Sequence, residues 1–200
     1  MKPPVVTTPI PRPETVAAQP LVRHPVSPQG PSLSLNAWVW PSTLGPAAGW
    51  CFHYELVGDV AAVRFPAPQA PGQADGLWRH TCFEAFLGLH RDPAYREFNF
   101  SPSSQWAHYA FSDQRQRDPH TETPLQAFAP AIACRSTDNT FLLQAWVPAA
   151  AWPTALPGEP LELSLSAVIE TLDGAVSHWA LHHPQPQPDF HHRSAFVAQL

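Results

Sequence analysis

The sequence predicts an all-β domain: two antiparallel sheets packed face to face as a sandwich of about ten strands. Three observations carry this. Apolar and polar residues alternate with period two over a series of short runs, as strands with one buried face require. Turn-forming residues separate those runs at short intervals. Proline is the compositional outlier, 26 in 200 residues, and that density of breakers leaves room for few helices while suiting edges and loops. Eight Trp and eleven Phe fit a β-rich core or a stacking site.

In chain order, residues 1–20 are rich in Pro, Thr and Val without any period, and are expected to form a disordered or loosely docked leader to a domain over 21–200. LVRHPVSPQG continues extended. SLSLNAWVW is the first clear strand, with Leu33, Leu35, Ala37 and Val39 on one face and Trp38 and Trp40 on the other. After the turn-rich PSTLGPAAG come WCFHYELVG and a short strand VAAVRF. Three strands joined as hairpins then fill Gly76 to Phe111, turning at HRDPA and SPSS. SDQRQRDPHTETPLQ reads as a long polar loop. IACRS and FLLQAWV form a hairpin about TDNT, AAAW one helical turn, and PTALPGEP a connection. LELSLSAVIET places Leu161, Leu163, Leu165, Ala167 and Ile169 inward, and Asp173-Gly174 signals a two-residue hairpin into AVSHWAL. HHPQPQPDFHH is irregular, and AFVAQL is the last strand.

Composition bounds the function. Charge is low, at 14% of residues with a net of −5, and no basic stripe exists to neutralise phosphates, so nucleic acid is not an expected partner. No stretch approaches the ~20 apolar residues of a membrane span, and the N-terminus lacks the apolar segment of a secretory signal, which makes the cytoplasm the default location. Cys51, Cys82 and Cys134 are too few for a disulfide framework and lack zinc spacing; each is expected to be a small buried hydrophobe in a strand.

The polar residues of the central hairpins are the candidates for function. His80, Glu84, Glu97 and Asn99 share one face of the predicted sheet, with Trp78 at its entrance. An indole beside amide, carboxylate and imidazole groups suits a small polar ligand such as a sugar: the ring stacks and the polar groups take the hydroxyls. A solvated sheet face is the plainer alternative. Glu84 and Glu97, if directly opposed, would raise one another's pKa and could act as a hydrolytic acid/base pair. Five of the eleven histidines fall between His178 and His192, and His182, His183, His191 and His192 with Asp189 could ligate a metal or a haem. The spacing supports this poorly, since adjacent residues on an extended chain point apart. No nucleophile elbow and no Gly-rich phosphate loop occur. Met1 is the sole methionine, which removes Met-ligated haem and leaves bis-His ligation open. No cofactor is expected.

LWRHTCFEAFLG, YREFNFSPSSQWAHYAF and SHWALHHPQPQPDFHHRSAF together resemble the bacterial DOMON-like domain proteins, relatives of the family 9 carbohydrate-binding modules. The resemblance spans about Leu21 to Leu200. It implies a jelly-roll-type sandwich that binds a sugar or a haem non-catalytically, with Trp78, Glu84, Asn99 and Ser101 at the matching positions. Sugar modules of this kind use two stacking tryptophans, which makes Trp106 or Trp179 the candidate second ring. The His182–His192 loop follows a strand directly and is stiffened by Pro184, Pro186 and Pro188. Its backbone needs polar partners, which the central polar face offers. The loop is therefore expected to pack near Trp78 and form one wall of a pocket.

Overall fold

The computed structural model describes residues 10–43, 48–155 and 159–200. The first half of the expected leader, part of PSTLGPAAG and part of PTALPGEP lie outside them. The strands are β1 Gln19–Arg23, β2 Leu33–Ser42, β3 Gly49–Gly58, β4 Gly72–Gln73, β5 Cys82–Leu89, β6 Tyr95–Phe100, β7 Gln105–Asp113, β8 Gln116–Arg117, β9 Ala131–Ser136, β10 Thr140–Pro148, β11 Leu161–Glu170, β12 Val176–Ala180 and β13 Ala198–Gln199, with one α-helix, α1, at Pro119–Leu125.

The prediction of a mostly β chain holds, but the strands form one curled sheet rather than two separate ones. Its order is β4-β7-β6-β5-β11-β12-β1-β2-β3-β10-β9, with β13 on β11 and β8 on β7. The joint is β1. Gln19 to Leu21 pair with β2, while Val22 and Arg23 pair with β12, so this short strand closes the gap between what would otherwise be two edges. All neighbours are antiparallel except β4 and β7. The two limbs of the curl face each other across one core, where Tyr54 meets Phe83, Phe52 meets Phe100 and Phe141 meets Phe83. Leu35, Ala37, Val39, Leu163, Leu165, Ala167 and Ile169 point into it, as their alternation requires.

Other local expectations change. Val60–Ala62 is a 3-10 turn, and only Val63 bridges to the sheet, opposite Thr171. The long polar loop contains β8 and α1. Asp118 caps that helix, its carboxylate accepting from the N–H groups of His120 and Thr121, with Pro119 at the first position. The Asp173-Gly174 turn is longer than two residues: Thr171 N–H donates to the Ala175 carbonyl across it, and Gly174 has φ 86°. The end of the chain is a 3-10 turn, Arg193–Ala195, before the short β13. Cys51 and Cys82 are buried, while Cys134 is exposed on β9, which ends the strand order among the described residues.

Each limb also has an outer face. Trp38, Trp40, Cys51 and Trp146 form an apolar patch on the first, and Ile10 lies buried upon it. Gln144 fixes that contact, accepting from the Ile10 N–H at 2.6 Å and donating to its carbonyl at 2.8 Å. The second outer face, on β5, β6, β7 and β11, carries Phe86, Tyr95, Tyr109, Phe111 and Val168, and the tail brings Phe190 and Phe196 onto it.

Candidate functional site

On the second outer face a cleft of about 580 Å³ opens over β5, β6 and β7. Glu84 and Glu97 form part of its floor; Trp78, Tyr109, Phe111 and Phe190 line it with rings; Arg79, Arg115 and Arg117 line it with charge. Alternation puts Glu84 and Glu97 here, because Phe83 and Ala85, Phe98 and Phe100 take the core side of the same strands. Register is what the sequence does not specify. Glu84 lies opposite Asn99, and Glu97 lies opposite Phe86, so the carboxyls are diagonal neighbours and not a directly opposed pair.

Both are nearly sealed, Glu84 at 2% exposure and Glu97 at 4%. Glu97 Oε1 accepts from Asn99 Nδ2 at 2.7 Å, and Ser166 Oγ lies 3.4 Å from Glu84 Oε2. Burial pushes the Glu97 carboxyl up to about 7, against the lowering pull of Asn99, Arg117 and Arg115. Burial, and next the charge of Glu97, hold Glu84 well above the usual carboxylate range. His191 reaches the same floor from the tail, its Nε2 3.8 Å from Glu97 Oε2. Its ring is packed among Phe86, Tyr95 and Phe111, and burial lowers its pKa to about 4. The neutral ring lies 2.8 Å from the Tyr95 hydroxyl through Nδ1.

The expected loop wall is present: Pro188, Phe190 and His191 line the cleft, with His178 on β12. His182 and His183 do not join it. They line a second cavity of about 400 Å³ with His24 and Val26, and His183 Nε2 lies 2.7 Å from the Val22 carbonyl. Among the described residues no group of three or more His, Cys, Asp or Glu is placed to hold a metal ion.

The other expected residues divide. Trp78 sits on the 3-10 turn Leu77–Arg79, launched by Gly76 at φ 71°, a conformation that favours glycine. Its ring is half exposed at the cleft, with the Arg79 guanidinium 5.4 Å from the ring centre. Asn99 is fully buried behind Glu97 and acts on the site by holding it. Ser101 is buried in the β6–β7 turn, where Ser103 Oγ donates to it at 2.8 Å. His80 lies outside the cleft on Glu170, at 2.8 Å. Trp106 takes the other face of β7, packed on His108, and Trp179 lies in the main core.

Several lining residues were not among the expected site residues, Asp75, Tyr109, Arg115 and Arg117 among them. Asp75 accepts from the Tyr109 hydroxyl at 2.6 Å, and the Arg117 guanidinium lies 4.3 Å over the Tyr109 ring. Arg117 is held in turn by Glu122 on α1, its Nε donating to Oε2 at 2.6 Å and its Nη2 to Oε1. Arg115 is in the left-handed region at φ 58°, a strained position for an arginine. Its N–H donates to Tyr95 Oη at 3.0 Å and its side chain to Asp189 at 2.8 Å, which ties the β7–β8 turn to the tail. The Asp-Pro cap directly after Arg-Gln-Arg was the available signal, since it ends the loop and orients Arg117.

No protein-family model matches the sequence, and no curated protein matches it. Solved structures do. A candidate carbohydrate-binding protein from Bacteroides uniformis superposes with a TM-score of 0.60 at 16% identity, covering 90% of this chain and 84% of its own. A family 9 carbohydrate-binding module from Caldicellulosiruptor kristjanssonii, solved with cellotriose, gives 0.51 at 7% identity, covering 83% and 72%. At such identities the likeness is one of fold. Among the described residues no helix is long and apolar enough to cross a membrane.

Proposed function

We propose that this chain is a non-catalytic carbohydrate-binding domain whose site is the cleft between Trp78 and the Glu84–Glu97 floor. One observation carries the reading. A half-exposed indole stands at the mouth of a cleft whose floor presents buried carboxyl oxygens, and Glu84 Oε1 has no hydrogen-bond partner among the described residues. Buried acceptors left unpaired cost free energy, and a polyhydroxylated ring supplies donors for them and an apolar face for the indole. Both structural neighbours named above are described as binding carbohydrate, one in complex with cellotriose, which supports the same class of ligand. Within this reading the curled sheet is a variant of the jelly-roll-type DOMON-like sandwich. Asn99 positions Glu97, while Ser101 shapes the turn. Hydrolysis is the weaker use of the carboxyls, because Asn99 and Ser166 already hold them as fixed acceptors.

Thermal unfolding against a panel of mono- and oligosaccharides, cellotriose included, tests the proposal. A ligand at 100 times its Kd adds ~2.7 kcal/mol of stability, which for a domain of this size raises Tm by roughly 5–10 °C. Trp78→Ala should weaken the binding by about tenfold or more, the cost of losing one stacking ring. A panel in which no saccharide shifts the transition overturns the reading.

A further inference from the structure

Away from the cleft, four of the buried or partly buried carboxylates carry cationic partners. Glu122 has Arg117, Glu162 has Arg193 and His90, Glu170 has Arg64 and His80, and Asp189 has Arg115. The two deepest carboxyls break the pattern. Glu84 has no ion pair among the described residues, and its Oε1 is buried without a partner. At contact distance, among the described residues, Glu97 has the His191 imidazole alone, at 3.8 Å, a ring already engaged by Tyr95, while Arg117 and Arg115 act on it from farther off. A neutral sugar would satisfy hydrogen bonds here but bring no positive charge to the two carboxyls. We propose that the floor of the cleft receives an ammonium group, so that the preferred ligand is an amine-bearing saccharide, a hexosamine unit with its nitrogen toward Glu84 and Glu97. This rests on the carbohydrate reading above and names the class of sugar.

The surroundings agree with a cation at that point. An ammonium offers three donors and one positive charge to two clustered acceptors. Tyr109, Phe111 and Phe190 turn rings toward the same space, and ring faces attract cations. The guanidiniums of the lining are engaged elsewhere, Arg115 on Asp189, Arg117 on Glu122, and Arg79 over the Trp78 ring. The other titratable groups facing the floor bring no positive charge near neutral pH. Cys82 and, beneath the sheet, Tyr54 are buried and uncharged, Tyr109 donates to Asp75, and burial keeps His178 on β12 and His191 on the tail neutral. Without ligand Glu97 retains its proton up to about pH 7, and burial with the charge of Glu97 holds Glu84 well above the usual carboxylate range. An ammonium favours the charged carboxylates and expels that proton, so affinity must rise with pH up to neutrality.

Titration calorimetry on the full chain tests this, with β-1,4-linked trisaccharides of glucosamine, glucose and N-acetylglucosamine at pH ~5.5 and ~7 in buffers of different ionisation enthalpy. The glucosamine trimer should bind about tenfold or more tighter than the other two near neutrality, with a smaller advantage in acid. Its binding heat should depend on the buffer and report release of up to about one proton. In Glu84→Gln the amine's advantage should shrink to about threefold or less. Should that variant fail to fold, the buffer dependence of the unmodified protein decides. A glucose trimer bound as tightly as the glucosamine trimer, or amine binding without proton release, overturns the ammonium and leaves the carbohydrate reading standing. Equal affinity for cyclohexylamine overturns the saccharide and leaves the ammonium. No binding by any trisaccharide overturns both.

Discussion

The two outer faces of the curled sheet are each covered by an end of the chain, with opposite results. On the first, the Ile10 segment settles on Trp38, Trp40, Cys51 and Trp146, and Gln144 closes the backbone bonds of Ile10. Apolar residues meet apolar residues, and the face is filled. On the second, the tail brings Phe190 and His191 over strands that carry Glu84 and Glu97 among aromatic rings. Carboxyls cannot be packed under hydrocarbon without partners, so this cover stands off as a wall and a cleft remains. Side-chain chemistry on the exposed alternate positions thus separates a seal from a site. The strand geometry beneath is the same.

That contrast can be broken at its strongest point first. Trp40 is buried at 2% exposure on the filled face, and Trp40→Ala should cost ~3–5 kcal/mol in denaturant unfolding. A loss below ~1 kcal/mol would mean that the Ile10 segment does not seal this face. On the cleft face, Glu97→Gln should stabilise. The Glu97 carboxyl titrates at about 7 in the fold, above its ordinary value, so the native state binds the extra proton and loses stability as pH rises through that window. The variant keeps an acceptor for Asn99. It should match the parent below pH ~4.5 and exceed it by about 1–3 kcal/mol above pH ~7.

The filled face has the reverse pH sense. His53 lies against Trp38 and Trp40, and burial, with Arg12 second, lowers its pKa to about 4. Its native state therefore binds fewer protons than the unfolded chain, and stability falls as pH drops from ~6.5 toward ~4. His53→Leu should be nearly silent at neutral pH and gain about 1–2 kcal/mol over the parent near pH ~4, discounted for partial exposure. Parallel stability–pH curves for Glu97→Gln and His53→Leu would erase the distinction between the faces.

How much of this was legible in the sequence follows from which interactions are local. Alternation sorted Phe83, Phe98 and Phe100 from Glu84 and Glu97 because strand periodicity needs no partner. The tail's position as a wall followed from its proline-stiffened backbone. Register was not legible: whether Glu84 faces Glu97 or Asn99 depends on how many residues the HRDPA turn absorbs. Nor was the single sheet, since the pairing of β1 with both β2 and β12 joins residues far apart in the chain. Arg115 and Arg117 were hidden in a polar run, where charge looks solvated until a helix cap and a left-handed residue aim it. Alternation alone puts Tyr109 on the cleft face of β7, but its role depends on Asp75, 34 residues away in sequence.

The smallest expected effect concerns His80, which sits one strand position outside the cleft. Alternation groups it with Cys82, Glu84 and Phe86, but the chain leaves the sheet before Cys82, and the exposed imidazole turns to Glu170 at 2.8 Å. Glu170 keeps a second partner in Arg64 at 3.3 Å, and its backbone N–H still donates to the Thr81 hydroxyl oxygen at 3.1 Å. Exposed ion pairs of this kind contribute about 0–1 kcal/mol, and a surviving second partner lowers the loss further. His80→Ala should therefore change stability by less than ~0.5 kcal/mol and leave saccharide affinity where it was, while Trp78→Ala, two residues earlier, should remove most of it. Equal losses of affinity in the two variants would move the mouth of the site from the cleft to the Arg64–Glu170 edge, and would place the ligand over β11 instead of the Glu84–Glu97 floor.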